Sequence, residues 1–73
     1  MTEYGIILFY TTSSVMQAEK VLKKAGVSTK LIPVPRQFSS DCGISLRFEW
    51  ANYKKTKTIM DSARVELQSY HRI

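Results

Sequence analysis

The chain has 73 residues, of which 44% are hydrophobic and 23% charged, so it has room for one folded domain over residues 1–73 and is not a disordered tail. Eleven Lys and Arg residues against six Asp and Glu residues give a formal charge of +5, which favours nucleic acid or an acidic protein as a partner. A single cysteine excludes an intrachain disulfide framework, and no apolar run is long enough to cross a bilayer. We therefore expect a cytoplasmic protein with no membrane partner.

The first half of the chain predicts a strand, a helix and a second strand. Residues Tyr4 to Tyr10 are almost all apolar and rich in β-forming types, which indicates a central strand buried on both faces. Ser14 and Gln17 have the spacing of a capping box, and apolar residues then recur at helical spacing as far as Gly26. Gly26 is well placed to end this helix, and residues 27–34 form a predicted second strand that the prolines terminate.

The second half predicts a strand, a helix and an ambiguous final segment. Apolar and polar residues alternate from Ile44 to Trp50, which is typical of a half-buried strand. Asn52 can cap a second helix. The residues of that helix that face inward are Tyr53, Thr56, Ile59, Met60 and Ala63. Residues 65–72 alternate as a strand would, but they also fit a continuation of the helix.

With a final strand, the order of elements is β-α-β-β-α-β, which predicts an α+β fold of the ferredoxin-like, split βαβ type. Its four-stranded sheet is mostly antiparallel and carries both helices on one face. The first strand cannot hide both of its apolar sides behind one layer of helices. The two candidate outward sides are Ile6, Leu8 and Tyr10, or Ile7 and Phe9. An apolar patch of that kind predicts a homodimer or a docking surface.

The only cysteine, Cys42, lies in a polar turn between the second and third strands. Three turn-forming residues precede it, namely Ser39, Ser40 and Asp41. Gly43 follows it and allows the backbone to turn sharply. We therefore expect the thiol at an exposed loop tip, the usual setting of a reactive cysteine. The alternative is that Cys42 is a small buried hydrophobe, the commoner state of a free cysteine.

Charged and polar neighbours are expected to tune the reactivity of this sulfur. Arg36 and Arg47 are close enough in sequence to lie near Cys42 and to favour its thiolate form. The hydroxyl groups of Ser39 and Ser40 could donate hydrogen bonds to the anionic sulfur. The carboxylate of the adjacent Asp41 opposes this effect, because a nearby negative charge disfavours the thiolate.

Other kinds of catalytic site have little basis in the sequence. One cysteine and one histidine, His71, are too few ligands for a structural zinc site, and His71 is expected at the surface. The chain has no glycine-rich phosphate loop, no nucleotide-binding fingerprint and no pair of neighbouring carboxylates for acid–base catalysis. We expect no cofactor and no metal. A chemistry that needs only one nucleophilic sulfur is the carrying of a group on that sulfur.

Several of these residues also occur together in the signature of a known family. The matching segments are Pro35-Arg36, Ser39-Ser40-x-Cys42-Gly43, Leu46-Arg47-Phe48, and Ala18-Glu19, Leu22-Lys23 and Ala25-Gly26 of the first helix. In these segments, and over nearly its whole length, the chain resembles a family of small bacterial proteins described as selenium/sulfur carriers. The resemblance favours the final strand. One departure is Arg64, where the family pattern would have a glycine.

The resemblance implies a relay protein rather than a stand-alone enzyme. Cys42 would accept sulfur or selenium from a cysteine desulfurase-type donor, hold it as a persulfide or selenopersulfide, and pass it to an acceptor protein. The site residues would be Cys42, Arg36, Arg47, Ser39, Ser40 and Gly43. The cargo, sulfur or selenium, and the identity of the acceptor stay open.

Two alternatives without covalent chemistry also fit the sequence. The length, the element order and the basic charge suit an RNA-recognition motif, in which aromatic residues of the first and third strands stack on bases. The third strand has Ile44 and Leu46 where that motif would have aromatic residues, although Tyr4, Phe9 and Tyr10 could still stack. The second alternative is an adaptor that dimerises through the open face of the sheet.

Overall fold

The computed structural model describes residues 2–38 and 42–73, and their elements follow the predicted order. The elements are β1 (Tyr4–Leu8), α1 (Thr12–Lys24), β2 (Thr29–Pro33), β3 (Ile44–Glu49), a short 3-10 helix (Trp50–Asn52), α2 (Tyr53–Ala63) and β4 (Ser69–Arg72). The strands form one sheet in the order β2-β3-β1-β4, and every neighbouring pair is antiparallel. The predicted α+β fold of ferredoxin-like type is confirmed.

The core lies between the sheet and the two helices. β1 contributes Ile7 to it, Phe9 follows directly after β1, and β3 contributes Leu46 and Phe48. The helices contribute residues at helical spacing, namely Val15, Ala18 and Leu22 of α1 and Met60 of α2. Because one cluster of buried residues includes side chains from both helices, the two helices share one face of the sheet.

The opposite face of the sheet is covered by the protein itself. Ile6 is 0% exposed and Leu8 is 2% exposed, although both point away from the helices. His71 pairs with Ile6 across the sheet, and the ring of Phe38 packs on the ring of His71 with 4.4 Å between centroids. The segment that follows β2 therefore lies over this face. The expected outward patch on the first strand is wrong for Ile6 and Leu8, while Tyr10, outside β1, is 45% exposed. The predicted homodimer loses the patch on which it was based.

α1 begins after the first of the four hydroxyl residues, 11–14, that the sequence offers as N-caps, and so earlier than the capping box of Ser14 and Gln17 indicates. Thr11 has an extended backbone (φ −137°, ψ 154°), and its hydroxyl oxygen accepts a hydrogen bond from the backbone N–H of Ser14 at 3.2 Å. Thr11 is thus the N-cap, and the predicted capping box of Ser14 and Gln17 is wrong. The reason is that threonine caps a helix nearly as well as serine and comes first along the chain. At the other end Gly26 has a φ of +83°, which confirms its predicted role.

The junction between β3 and α2 also differs from the prediction. Trp50 lies outside the strand, in the 3-10 turn Trp50–Asn52 that runs directly into α2. Because this turn is already helical, the backbone N–H of Tyr53 bonds to the carbonyl of Trp50, and the Asn52 side chain makes no cap hydrogen bond. Asn52 therefore precedes the helix as expected but does not cap it with its side chain.

A left-handed residue separates α2 from β4. Arg64 has φ 55° and ψ 39°, and its N–H bonds to the carbonyl of Asp61 at 3.2 Å. The N–H of Val65 reaches back to the carbonyl of Met60 at 3.2 Å, which closes the last turn of the helix. The helix ends here although neither glycine nor proline is present, and the predicted final strand is confirmed with a later start, at Ser69.

Candidate functional site

Cys42 lies at the end of the sheet where β1 ends, α1 begins and β3 starts. It is 5% exposed and belongs to the core cluster. Its Sγ is 3.7 Å from Oγ1 of Thr12, the first residue of α1, a distance at which either group can donate to the other. The predicted exposed loop tip is therefore wrong. The early start of α1 places a helix end against the turn, and the thiol packs beneath it.

The start of α1 lies beside the Cys42 sulfur. The first turn of a helix has backbone N–H groups without intrahelical partners and carries a partial positive charge. No acidic residue lies in the first turn of α1, so nothing there neutralises this charge. The hydroxyl of Thr12 lies within hydrogen-bonding distance of the thiol, and either group can be the donor. Helix N-termini are among the settings in which cysteine thiolates are stabilised.

The structure does not bring Arg47 to the thiol. Arg47 pairs with Ile6 and Lys30 within the sheet, and its guanidinium carbon lies 4.1 Å from the centroid of the Tyr4 ring. Successive residues of a strand point to opposite faces, so Arg47 lies on the face away from the helices, whereas Cys42 belongs to the core on the helix side. Arg47 is close to Cys42 in sequence, but it lies on the face of β3 opposite the thiol, so the predicted contact between them does not form.

Of the remaining predicted site residues, the structure describes Arg36 and Gly43. Arg36 is exposed within the turn that follows β2, where the N–H of Phe38 bonds to the carbonyl of Pro35 at 3.0 Å. The carbonyl of Gly43 accepts a hydrogen bond from the backbone N–H of Val34 at 3.2 Å, which ties the two sides of the turn together. The predictions for Ser39, Ser40 and Asp41 fall outside the described residues.

The sequence predicts a sharp turn at Gly43, but its backbone does not adopt the positive φ that glycine allows. Among the described residues the glycine with positive φ is Gly26, so the backbone at Gly43 is open to other residue types. A Cβ atom built on Gly43 would meet no atom within 4 Å. The turn at Gly43 therefore requires neither a left-handed conformation nor a missing side chain.

Sequence reasoning missed two contributors to the surroundings of Cys42. Thr12 was visible only as one of four consecutive hydroxyl residues, and nothing in the sequence paired it with a cysteine 30 positions later. Phe38 follows β2 at one edge of the sheet, and His71 lies in β4 at the other edge. The contact between their rings holds the segment before the cysteine turn against the sheet. His71 was expected at the surface, but it is half-buried, with Nε2 2.8 Å from Oγ of Ser69. Such contacts follow from the fold and have no local signal.

On the face of the sheet away from the helices, β3 lacks the aromatic residues that an RNA-recognition motif needs on its third strand. The side chains of β3 on that face are Ser45, Arg47 and Glu49, because Leu46 and Phe48 belong to the core. Of the aromatic residues predicted to stack, Phe9 is fully buried on the helix side. The geometry thus gives no support to base stacking on β3.

At the other end of the sheet, four aromatic rings form a packed cluster. These are Phe48, Trp50, Tyr53 and Tyr70, with ring centroids 4.6 to 6.5 Å apart in the contacting pairs. Burial, followed by the negative charges of Asp61 and Tyr53, raises the pKa of Tyr70 to about 12. Tyr70 therefore stays protonated near neutral pH, and this cluster is structural.

Within residues 2–38 and 42–73 there is no group of three or more His, Cys, Asp or Glu side chains that could hold a metal ion. Over the same residues, none of the helices has the length and apolar character that a membrane span requires.

Comparison with known proteins identifies the family. No curated protein and no solved structure matches the chain significantly. A family model with the description "Putative Se/S carrier protein-like" matches residues 4–72, which is nearly the whole chain and includes Cys42. The chain therefore belongs to this family of Se/S carrier-like proteins.

Proposed function

We propose that the protein carries sulfur or selenium on Cys42 as a persulfide or selenopersulfide and relays it from a donor to an acceptor protein. The observation that carries this proposal is that the only thiol of a Se/S carrier-like chain lies at the start of α1, 3.7 Å from the Thr12 hydroxyl. An anionic sulfur is both the nucleophile for loading and the species left after transfer, so one stabilising environment serves both steps.

Loading requires no cofactor and no net redox change. The Cys42 thiolate attacks the outer sulfur of a donor persulfide, a new S–S bond forms at Sγ, and the donor S–S bond breaks to release the donor thiolate. The proton of the donor persulfide stays on the transferred sulfur. In the second step an acceptor nucleophile attacks that outer sulfur, and Cys42 leaves as a thiolate. A selenium atom would follow the same path.

The burial of Cys42 adds a requirement to this cycle. A thiol that is 5% exposed cannot reach a donor persulfide, so the turn must open before transfer. Two contacts of the described residues flank this turn, namely the Phe38 ring on His71 and the hydrogen bond between Val34 and Gly43, and we propose that they must loosen for the sulfur to be reached. Local opening of a short segment costs less than global unfolding, and a docked donor could supply that energy. Burial would also protect the loaded sulfur from stray thiols.

The partners and setting of this relay form part of the proposal. The family implies a donor and an acceptor in general, and we propose a cysteine desulfurase-type donor because such enzymes form the required persulfide on a cysteine. A persulfide carrier needs a reducing compartment, which fits the cytoplasm. Arg36, which is exposed, could reach a bound partner or the opened thiol, and Ser39 and Ser40 could donate hydrogen bonds to the sulfur.

Intact-mass spectrometry tests the loading step. The protein is incubated with a cysteine desulfurase and either cysteine or selenocysteine. We expect a mass increase of one sulfur or selenium atom per chain, and none in Cys42→Ser. Thr12→Val, which removes the hydroxyl beside Sγ and keeps a similar shape, should load more slowly. If the wild type gains no mass, or if Cys42→Ser gains as much, the proposal is wrong.

A further inference from the structure

The two helices carry most of the net charge of the protein, and they concentrate it at one end. Lys20, Lys23 and Lys24 lie in the last turns of α1, and Lys54, Lys55 and Lys57 lie in the first turns of α2. All six are exposed. The helices hold only two carboxylates, those of Glu19 and Asp61, so their formal charge is +4 of the total of +5.

The fold places these six lysines at the end of the molecule opposite Cys42. α1 starts beside Cys42, and at 1.5 Å per residue Lys20 and Lys24 are roughly 12 to 18 Å further along its axis. α2 begins just after Glu49, which pairs with Tyr4 at the start of β1 and is therefore at the far end of the sheet. We call this region, defined by the six lysines, the basic end.

Helix stability does not explain two of the three lysines of α2, Lys54 and Lys55. Lys23 and Lys24 lie at the C-terminus of α1, where a positive charge complements the helix dipole. Lys54 and Lys55, by contrast, lie in the first turn of α2, where a positive charge is unfavourable and where no acidic residue compensates. A positive charge that works against its own helix points to a role outside the helix.

An apolar groove between the helices adjoins these lysines. It is lined by the apolar side chains of Val21, Ala25, Ile59 and Ala63 and by the hydroxyl residues Thr58 and Ser62, and Lys24 is the lysine of the basic end that borders it. Lys55 lies one turn before Ile59 on α2. The basic end thus offers apolar contact and positive charge side by side, which is what the surface of an acidic amphipathic protein segment would match.

We propose that the basic end docks an acidic protein partner, with apolar side chains of the partner in the groove and its carboxylates on the flanking lysines. A nucleic acid fits less well, because both helices present lysines and no arginine, and Tyr53, the aromatic residue of the two helices, packs in the ring cluster. The inference uses only α1 and α2 and is independent of chemistry at Cys42.

Docking at the far end leaves Cys42 unobstructed. A partner held on the outer surface of the helices would not cover the turn beside the start of α1. Such a partner could remain bound while Cys42 meets a second protein. The surface therefore suits a tethering contact rather than the contact through which sulfur is transferred.

A titration with defined peptides tests this surface. The probe is a helical peptide with Glu and Leu at helical spacing, and the control peptide has the same Glu residues with every Leu replaced by Ser. Binding is followed by amide chemical shifts of the isotope-labelled protein. We expect tighter binding of the Leu peptide, with shifts at Val21, Ala25 and Ile59. Equal binding of the two peptides, or tighter binding of a single-stranded oligouridine, would overturn the proposal.

Matched charge removals separate a local surface from net charge. Lys55→Gln should weaken binding of the Leu peptide about two- to fivefold, the range for one exposed ion pair. Lys30→Gln removes the same charge from the opposite face of the sheet and should change binding little. Equal losses in both variants would contradict a local site. Cys42→Ser should bind the Leu peptide as the wild type does. If the Leu peptide does not bind at the basic end, the carrier proposal is unaffected, because it does not depend on this surface.

Discussion

Gly5 shows how a residue without a side chain fixes the packing of the aromatic cluster. A Cβ atom at this position would lie 2.5 Å from Cε3 of Trp50 and 2.8 Å from Cζ of Phe48. These rings are packed in the ring cluster and cannot move without disturbing Tyr53 and Tyr70. The glycine is thus required by close approach, a requirement that the apolar pattern of β1 does not reveal.

Gly5→Ala should therefore destabilise the protein by about 1 to 3 kcal/mol, the usual cost of overpacking a core. The free energy of unfolding from urea titration measures this cost. Gly43→Ala is the matched control, because a Cβ atom there meets nothing within 4 Å, and it should cost less than about 0.5 kcal/mol. Similar losses in the two variants would contradict the packing described at Gly5.

Tyr70 makes stability depend on alkaline pH. Its pKa in the folded protein is about 12, above the ordinary value of 10.0, so the folded state holds the phenolic proton more tightly than the unfolded state does. The corresponding stability is fully present below pH 10 and is lost as the pH rises from 10 toward 12. Ionisation must place a phenolate in a partly buried site beside Asp61.

Tyr70→Phe should remove this contribution. The Tyr70 hydroxyl has no hydrogen-bond partner among the described residues, so the variant should be at least as stable as wild type at pH 7. Urea midpoints at pH 7, 10 and 11 would show a smaller alkaline loss in Tyr70→Phe, while Tyr10→Phe, at an exposed position, should behave as wild type. An unchanged alkaline loss in Tyr70→Phe would contradict the raised pKa.

Among the elements, the periodic segments were predictable and their junctions were not. The alternation in β3 and the helical spacing before Gly26 correctly predicted a strand and a helix, because burial on one face imposes that spacing. The start of α1 at Thr11 and the 3-10 turn before α2 were missed. Several residues near each junction are acceptable caps, and the choice among them depends on tertiary contacts.

Cys42 shows the same limit at the site. Its position in the turn between β2 and β3 was predicted, but the sequence left its burial open as an alternative to an exposed loop tip, since Thr12 and the core residues around it come from distant parts of the chain. The predicted contact with Arg47 failed because the alternation of β3 places it on the other face. The family resemblance points to Cys42 but does not reveal which side chains surround it in the fold.

The junction between α2 and β4 carries a strained residue. Arg64 adopts the left-handed conformation, which costs a residue with a side chain about 1 to 2 kcal/mol. Arg64→Gly should raise stability by about 0.5 to 1 kcal/mol, because the relief of strain exceeds the added chain entropy of glycine. Arg64→Val should lower it, since β-branched residues resist positive φ. Thermal unfolding would show the order Gly, Arg, Val, and a less stable Gly variant would contradict it.

At the scale of the whole molecule, the buried thiol and the segment after β2 lie on opposite faces of one sheet. The segment after β2 crosses the open face of the sheet and is held there by Phe38 on His71 of β4. The same segment leads toward Cys42, whose other neighbours belong to α1 and the core. The carrier proposal therefore predicts that access to the sulfur depends on this ring contact on the opposite face of the sheet.

Phe38→Ala should make the thiol easier to reach. Loss of one ring contact is worth about 0.5 to 1.5 kcal/mol, so the rate at which an aromatic disulfide reagent modifies Cys42 should rise roughly two- to tenfold. Tyr53→Ala removes a ring from the cluster at the other end of the sheet and should give a smaller increase. Equal acceleration in both variants would show that Cys42 is exposed only by global unfolding.

A complete carrier cycle tests the central claim most directly, because a carrier must release its cargo as well as accept it. The protein is loaded by a desulfurase, separated from the donor, and then treated with a dithiol, while its intact mass and the sulfide or selenide released are measured together. We predict that one atom per chain, located on Cys42, is lost from the protein as an equal amount of sulfide or selenide appears, and that the recovered protein loads again. Cargo that stays on the protein, that is located elsewhere than Cys42, or that never loads on the folded chain would contradict the account.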